Sequence, residues 1–423
     1  MEQPLTRNIQ PNKEPLSLAE YERVDGYAGV RAALKLTPQQ VQEEVKKSGL
    51  RGRGGGGFPT GVKWSVMPMG EDARHPKYFV VNADEMEPGT MKDRLLMEGD
   101  PHQLIEGIII SAYATQADIA YIFLRWAYTG AAERLQRAIN EAYEKKYLGK
   151  GIFGSSYNLE LSLHTSAGRY MCGEETGLLN ALEGKRANPR SKPPFPQVSG
   201  LHGRPTVVNN VETLCCVTHI LRHGADWFKK LSLSEDGGTK IYGASGRVKK
   251  PGLWELPMGT PAREILDHYA GGMQEGYAFR GLLPGGASTN FLLDQHLDVK
   301  MDFTAVEKVN SRLGTGTMIV LDDRACPVGM LGSLMDFFAR ESCGWCTPCR
   351  EGLPWVANTL HALEDGRGEP IDLEILDYHV KSIKMGHTFC ALAPGAMAPL
   401  EGLLTYFKED VERHIAGKGC PWK

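Results

Sequence analysis

The sequence predicts an α/β sheet domain, followed by a compact α+β unit and then a small helical bundle. Three observations carry this reading. Short apolar strands alternate with amphipathic helices up to about residue 230. The pattern changes after Asp236-Gly237-Gly238, and from Cys326 onward apolar residues recur at the three-to-four spacing of helices. At 423 residues the chain is also too long for one small core, so several domains are expected.

Residues 1–25 read as a flexible or strap-like arm. Thr37-Pro38-Gln39-Gln40 opens the first clear helix, with Thr37 as cap, Pro38 at the first helical position and a glutamine three residues after the cap. That helix stops at Gly49, and residues 52–61 form a glycine-rich loop. Residues 78–82 make a short buried strand that ends in the polar run Asn82-Ala83-Asp84-Glu85. A helix over 101–116, a strand over 120–124, an amphipathic helix over 128–147 and a strand over 159–165 continue the alternation. Strands over 239–248 and 252–256, a Thr260-capped helix to Tyr269 and a loop over 283–287 build the α+β unit. Helices over 328–339, 354–364, 373–383 and 399–415 complete a four-helix bundle.

Composition is that of an ordinary soluble chain: 42% hydrophobic, 23% charged and a net charge of −3. No field this weak points to nucleic acid or an anionic membrane as the main ligand. The polar N-terminus, with Glu2, resembles neither a secretory signal nor a transit peptide. The best membrane candidate, residues 104–114, is short and holds Glu106, so no membrane insertion is expected.

The most specific chemical signal is Cys343-x-x-Cys346-x-x-Cys349 with Cys390 downstream. Two residues between thiols let one loop aim three sulfurs at a single inorganic centre, the ferredoxin-like way to hold an iron–sulfur cluster. The fourth cysteine usual three residues on is missing, so the last ligand must come from elsewhere. Structural zinc is the competing occupant, but zinc ligands more often come as paired knuckles and Cys390 has no cysteine neighbour. A disulfide framework fits an odd total of nine cysteines poorly, and thiols that hold a cluster suit a reducing cytosol. Cys172, Cys215, Cys216, Cys326 and Cys420 show no ligand spacing and read as ordinary reduced or core thiols.

Gly52, Gly54 and Gly57 satisfy G-x-G-x-x-G formally, yet a Lys-rich helix precedes them where the dinucleotide fingerprint needs a strand. What survives is a run of backbone N–H groups able to close on an anion, with Lys63 just beyond. A plain flexible loop is the bland alternative. Two acidic groups, Asp84-Glu85-Met86-Glu87 after a strand and Glu174-Glu175 after Gly173, stand where α/β sheets place ligands. Nothing near them completes a nucleophilic triad.

Taken together, these motifs closely resemble one family. They are the glycine loop, Asn-Ala-Asp-Glu-Met-Glu-Pro-Gly at 82–89, Gly-Arg-Tyr-Met-Cys-Gly-Glu-Glu-Thr at 168–176, Pro-Arg-Ser-Lys-Pro-Pro-Phe-Pro at 189–196, Val-Asn-Asn-Val-Glu-Thr at 208–213 and Glu-Ser-Cys-Gly-Trp-Cys-Thr-Pro-Cys-Arg at 341–350. The chain resembles, over nearly its whole length, the NADH-binding flavoprotein subunit of respiratory complex I. The resemblance implies a Rossmann-like FMN- and NADH-binding domain with its arm over 1–235. A β-grasp-like (ubiquitin-like) domain of the soluble-ligand-binding type over 236–325 and a helical domain with one [4Fe–4S] cluster over 326–423 follow.

Carried over by position, Gly52, Gly54 and Lys63 line the FMN phosphate and ribityl chain, within a cofactor-binding loop that also takes in Arg53, Gly55, Gly56, Gly57, Pro59, Thr60 and Gly61. Asn82, Asp84, Tyr170, Gly173, Asn209, Asn210 and Thr213 complete the flavin pocket. Glu85, Glu87, Glu174, Glu175, Lys192, Phe58 and Phe195 face NADH, the two phenylalanines near the adenine. Glu85 and Glu175 are the carboxylates placed at the reacting rings, as orienting groups. Cys343, Cys346, Cys349 and Cys390 hold the cluster. Val66 stands where some members carry a further aromatic, which implies weaker adenine stacking on that side. The resemblance also implies NADH:quinone oxidoreduction and, as partners, a thioredoxin-like [2Fe–2S] subunit, a large multi-cluster iron–sulfur subunit and the other complex I subunits. It places the chain in the peripheral arm on the cytoplasmic face of the bacterial inner membrane. The diaphorase subunit of an NAD-linked hydrogenase or formate dehydrogenase shares this core and is the second reading; a zinc-stabilised nucleotide-binding scaffold is the non-enzyme one.

Overall fold

A buried parallel sheet organises the first half of the chain. In the computed structural model, which describes residues 2–11, 14–70 and 72–423, the strands are β1 (Tyr78–Ala83), β2 (Ile119–Leu124), β3 (Glu160–Thr165) and β4 (Thr206–Asn210). Their order is β3-β2-β1-β4, all neighbours parallel. Tyr78 and Val80 of β1 pack with Phe123, Val208, Leu178 and Leu179, while the alternate residues Phe79 and Val81 are fully buried as well. Covered on both faces, β1 is therefore apolar without alternation. The strand β4 was not expected, because its five residues end in two asparagines.

Contacts divide the chain into two units. The first comprises Met1–Met86, Met91–Ile241 and Glu255–Gly259; the second comprises Glu87–Thr90, Tyr242–Trp254 and Thr260–Lys423. In the first unit the arm is a strap: it carries α1 (Leu18–Arg23), buries Leu5 and Tyr21, and its Leu5 and Thr6 amides donate to Glu255 at 3.0 and 2.8 Å. Residues 12 and 13 of the arm lie outside the described residues. The expected capping box of Thr37 and Gln40 opens α2 (Pro38–Lys47), and Gly49 follows with a φ of 71°. Further along come α3 (Thr60–Ser65), α4 (Lys92–Gly99), α5 (Pro101–Thr115), α6 (Thr129–Glu144), α7 (Glu175–Leu182) and α8 (Val211–His223). Helices α5 and α8 touch backbone to backbone, since a Cβ on Gly107 would stand 2.1 Å from the Leu214 carbonyl oxygen.

Beneath the first sheet's carboxyl edge lies a knot of buried charge. Glu212, in the first turn of α8, takes Lys92 at 2.9 Å, Lys240 at 3.2 Å and the Ile241 N–H at 2.8 Å. Lys92 also holds Asp93 at 2.7 Å. Burial alone would raise the Glu212 carboxyl, but the Lys240, Lys92 and Arg53 charges outweigh it and hold it down to about 2.

A second, mixed sheet of β5 (Thr239–Ser245), β6 (Gly252–Pro257), β7 (Phe279–Leu283) and β8 (Thr317–Asp322) runs in the order β6-β5-β8-β7. Pro261, not Thr260, occupies the N-cap of the short helix Ala262–Glu264 and makes no side-chain cap bond. The helical region holds α9 (Pro327–Glu341), α10 (Thr347–Glu364), α11 (Ile371–Ser382), α12 (Leu392–Tyr406) and α13 (Lys408–Ala416). The single helix expected over 399–415 is thus two, broken at Phe407, and Pro354 and Pro399 lie inside helices where they were expected to open them.

Removing one partner of a buried, hydrogen-bonded ion set leaves the others uncompensated, at a cost of about 3–5 kcal/mol. Glu212→Gln is therefore expected to lower the melting temperature of the chain sharply. Because the folded-state value of Glu212 is depressed from 4.5, its contribution is complete above about pH 4.5 and is lost as pH falls toward 2. Acid unfolding of the variant should accordingly be less steep over that window. An unchanged melting temperature would show that the knot is not a unit.

Candidate flavin and iron–sulfur sites

Chain order reverses at β1. From there the chain steps outward to β2 and β3, then returns to add β4 on the other side. Ligands of open parallel sheets sit at the carboxyl ends of the strands flanking such a reversal. Here β1 delivers Asn82, Asp84 and Glu85 to that place, and β4 delivers Asn209 and Asn210, with Asn82 level with Asn210.

The glycine loop is closed onto the same place. Arg51 bridges to Pro59, the Gly52 N–H donates to the Phe58 carbonyl at 2.9 Å, and Arg51 Nε donates to the Gly57 carbonyl at 2.6 Å. Arg53 points inward and is fully buried. Its N–H donates to Thr213 Oγ1 at 2.8 Å, and its guanidinium donates to the Gly237 and Thr239 carbonyls. A Cβ on Gly54 would come within 3.0 Å of Asn210 Cβ, whereas one on Gly56 or Gly173 would meet nothing within 4 Å. Gly55 and Gly57, with φ of 110° and 61°, turn the chain between these points. Thr60 is buried, and a Cβ on Gly61 would stand 2.5 Å from Lys46 Cα, so Gly61 lets α3 lie against α2. The flexible-loop reading fails: this loop is pinned on one side and open on the other.

At the rim stands an ion triad. Glu175 lies between Lys63 at 2.7 Å and Lys192 at 2.9 Å, and Lys63 also donates to the Val208 carbonyl of β4 at 2.8 Å. Burial raises the Glu175 carboxyl, but Lys63 and Lys192 outweigh this and hold it below the usual range. Glu174 caps α7, accepting from Thr176 N–H at 2.8 Å and Gly177 N–H at 2.9 Å, and pairs with Lys192 at 3.0 Å. Phe58 and Phe195, in the segments that carry Lys63 and Lys192, are more than half exposed, as is Val66.

Deeper in, the polar groups are engaged with one another. Asn82 Nδ2 donates to the Cys172 and Gly173 carbonyls, both at 3.3 Å, on the short turn Tyr170–Gly173. Asp84 is buried beside Cys172, whose thiol is pushed up to about 12 by burial and by that carboxylate. Asn209 Oδ1 accepts from Trp64 Nε1 at 2.9 Å, and Asn210 caps α8 while donating to Asp93 at 2.7 Å. Glu85 is buried too, accepting from the Asp93 and Arg94 N–H groups at the start of α4 and from the Tyr128 hydroxyl. Burial, with the Asp93 charge, pushes it up to about 7 against Lys92. Glu87 belongs to the second unit, where it accepts from the Ser288 N–H at 2.7 Å. The two carboxylates expected at the reacting rings thus differ: Glu175 stands at an accessible rim and Glu85 braces a helix. Lys92, Asp93 and Lys240, which support the site, carried no motif in the sequence.

An open cradle of glycine backbone, with amide side chains behind it and an ammonium at its rim, fits a flat phosphorylated flavin such as FMN. In the second unit the turn between α9 and α10 fits a cluster. Cys346 caps α10, Cys349 lies in its first turn, and Trp345 meets Phe389 with ring centroids 6.5 Å apart, which brings the Cys390 segment alongside. Burial pushes the Cys349 thiol up to about 12, with Cys346, Cys390 and Cys343 adding to the effect. Thiols from these four cysteines brought near one another suit a four-iron cluster.

Comparison with known proteins agrees with this layout. Residues 45–219 match the family described as the Nuo51 FMN-binding domain, and residues 329–414 match the NADH-ubiquinone oxidoreductase-F iron-sulfur binding region. The NADH-quinone oxidoreductase F subunits of Escherichia coli K12 and Salmonella typhimurium are each 55% identical over 413 residues, covering 97% of this chain and 93% of theirs. The second F subunit of Rhizobium meliloti is 48% identical and covers 99% of both chains. A crystal structure of an NAD+-reducing [NiFe]-hydrogenase in its air-oxidised state superposes with a TM-score of 0.82 at 32% identity, covering 95% of this chain and 67% of that one. The chain belongs to the family of NADH-quinone oxidoreductase F subunits.

Proposed function

We propose that this chain is the NADH-oxidising flavoprotein subunit of a respiratory NADH:quinone oxidoreductase, a multi-subunit complex. The observation that carries the reading is the presence, in one chain, of the glycine cradle at the β1–β4 reversal and of three thiols around the start of α10 with the Cys390 segment alongside. When bound, FMN accepts a hydride and yields electrons singly, and a [4Fe–4S] cluster carries them one at a time. The hydrogenase diaphorase is the weaker reading. The hydrogenase chain is 32% identical and runs well beyond this one, whereas the two enterobacterial relatives are 55% identical and nearly fully covered.

The chain's own residues then do three things. The backbone of residues 54–57 and Lys63 receive the flavin phosphate end, with Asn82, Asp84, Tyr170, Gly173, Asn209, Asn210 and Thr213 lining or bracing the pocket. Phe58 and Phe195 offer exposed rings for the adenine of NADH. Glu175 is ionised at neutral pH and flanked by two ammonium groups, so it accepts hydrogen bonds from the nucleotide and orients it; it does not donate a proton. Hydride transfer needs two rings stacked in contact, and positioning is the protein's main contribution. Cys343, Cys346, Cys349 and Cys390 ligate the cluster. The functional division runs 1–235, 236–325 and 326–423. The partners are the thioredoxin-like [2Fe–2S] subunit and the large multi-cluster iron–sulfur subunit, in a peripheral arm on the cytoplasmic face of the membrane. Among the described residues no helix is long and apolar enough to cross a membrane.

Glu174 and Glu175 crowd the nucleotide side, and a 2′-phosphate there would add like charge. NADH should be strongly preferred over NADPH in steady-state kinetics, and equal kcat/KM values would overturn this placement. Glu175→Gln should keep its flavin and its melting temperature while losing roughly ten-fold or more in kcat/KM for NADH, the equivalent of about 1.4 kcal/mol.

Cys346→Ala leaves an incomplete thiolate shell. Iron content and the reduced-cluster EPR signal should be lost, flavin should remain, and NADH:ferricyanide activity should persist. Quinone reduction by the assembled complex should fall to background. A variant that kept its cluster signal would remove Cys346 from the ligand set.

A further inference from the structure

Four side chains at the other end of the cluster-bearing hairpin form a second, unassigned ligand set. Cys326, Glu364, His414 and Cys420 each offer one ligand atom, and these atoms all lie within 4.8 Å of one another. Cys326 Sγ is 2.8 Å from Glu364 Oε1 and 3.3 Å from His414 Nε2, and His414 Nε2 is 3.1 Å from the same carboxylate oxygen. We propose that these residues bind a single zinc ion that is structural.

The donor chemistry selects the metal. Two thiolates, one imidazole and one carboxylate oxygen fill a tetrahedron and leave no open position, the mark of a closed zinc site. In a tetrahedral shell with ordinary Zn–S and Zn–N bonds, ligand atoms stand roughly 3.3–3.8 Å apart. The separations among Cys326, Glu364 and His414 therefore need to open by only a few tenths of an ångström to about one ångström, and Cys420 Sγ already lies within 4.8 Å of all three. The outer contacts are those a metal site requires. His414 is fully buried, and its Nδ1–H donates to the Asp410 carbonyl at 2.6 Å, which fixes the tautomer and leaves the Nε2 lone pair facing the other three ligands. The Gly329 N–H donates to Cys326 Sγ at 3.2 Å, a bond that favours a thiolate. Lys423 pairs with the other carboxylate oxygen of Glu364 at 3.2 Å. Two thiolates, one carboxylate, Zn2+ and that ammonium sum to zero charge, which a half-buried site needs.

The position gives the ion its work. Cys326 caps the start of α9, Glu364 ends α10, His414 lies on α13, and Cys420 follows α13. Cys343, Cys346 and Cys349 occupy the opposite, closed end of the α9–α10 hairpin. A helix of 15 residues spans roughly 22 Å, so the two centres are separate. Zinc would fasten the open end of the hairpin that carries the cluster.

The full-length protein, purified with its iron under reducing conditions, should contain about one zinc per chain by elemental analysis. Zinc K-edge absorption should show mixed sulfur and nitrogen or oxygen neighbours. Cys420→Ser, a substitution at a half-exposed position, should lose the zinc and melt at a lower temperature while keeping iron and FMN. Stripping the parent with a zinc chelator should reproduce that loss of stability, and added zinc chloride should restore it. Four results would overturn the proposal: no zinc above the blank in iron-loaded parent, another metal bound in its place, a Cys326–Cys420 disulfide in unreduced peptide maps, or zinc that survives Cys420→Ser but vanishes in Cys346→Ala. The last would place the ion in the cluster quartet.

Discussion

The crevice at the β1–β4 reversal depends on one buried carboxylate, Glu212. A lone carboxylate or ammonium cannot be buried at tolerable cost, so Glu212, Lys92 and Lys240 can enter the interior only as a set. Each comes from a different element: α8, α4 and β5. Arg53, from the glycine loop, adds its charge to the same group. The set therefore fixes the loop, the start of α8 and the start of α4 together. Asn210 and Asp93 extend it to the end of β4, and Glu85 extends it to the end of β1. A crevice whose walls share one charge network is preorganised, which is what positioning two rings requires.

Charge is arranged differently at the rim than beneath it. Below, every charged group is committed to a neighbour and shut from solvent. At the rim, Lys63, Glu175 and Lys192 are each partly exposed, with side chains 19%, 20% and 30% accessible. Groups of this kind can exchange partners without a new desolvation cost. On the proposed reading, a dinucleotide that brings a pyrophosphate and ribose hydroxyls would trade against Lys63 and Lys192 on one hand and Glu175 on the other. The ionised state of Glu175, held by its two lysines, suits that exchange and makes proton donation unfavourable.

Much of this was legible in the sequence, and the residues show why the rest was not. The polar run after residues 78–82 marked a strand end, and the cysteine spacing marked a cluster, because both signals are local. Arg53, Glu85 and Gly61 each sat in a recognisable motif, yet their roles are loop anchoring, helix capping and helix packing. Sequence cannot separate a carboxylate that faces a ligand from one that accepts the first N–H groups of a helix. Pro354 and Pro399 misplaced two helix starts, since Cys346 caps α10 a full two turns before Pro354. Cys326, Glu364, His414 and Cys420 have no spacing at all. Only the folding of α9, α10 and α13 against one another gathers them.

If Cys346 and Cys349 ligate the cluster as proposed, their place at the start of α10 has an electrostatic reason. Four thiolates around an iron–sulfur core carry net negative charge, and that charge grows on reduction. Cys346 at the cap and Cys349 in the first turn would put it at a helix N-terminus, where unpaired N–H groups and the helix dipole favour anions. Arg350, whose guanidinium donates to the Gly344 carbonyl at 3.0 Å, braces the same turn, with its charge paired to Glu351 at 2.9 Å. That helix terminus would stabilise the more negative, reduced state of a bound cluster relative to the oxidised one. A relay that must accept single electrons would benefit from that bias, which the start of α10 would supply through backbone geometry.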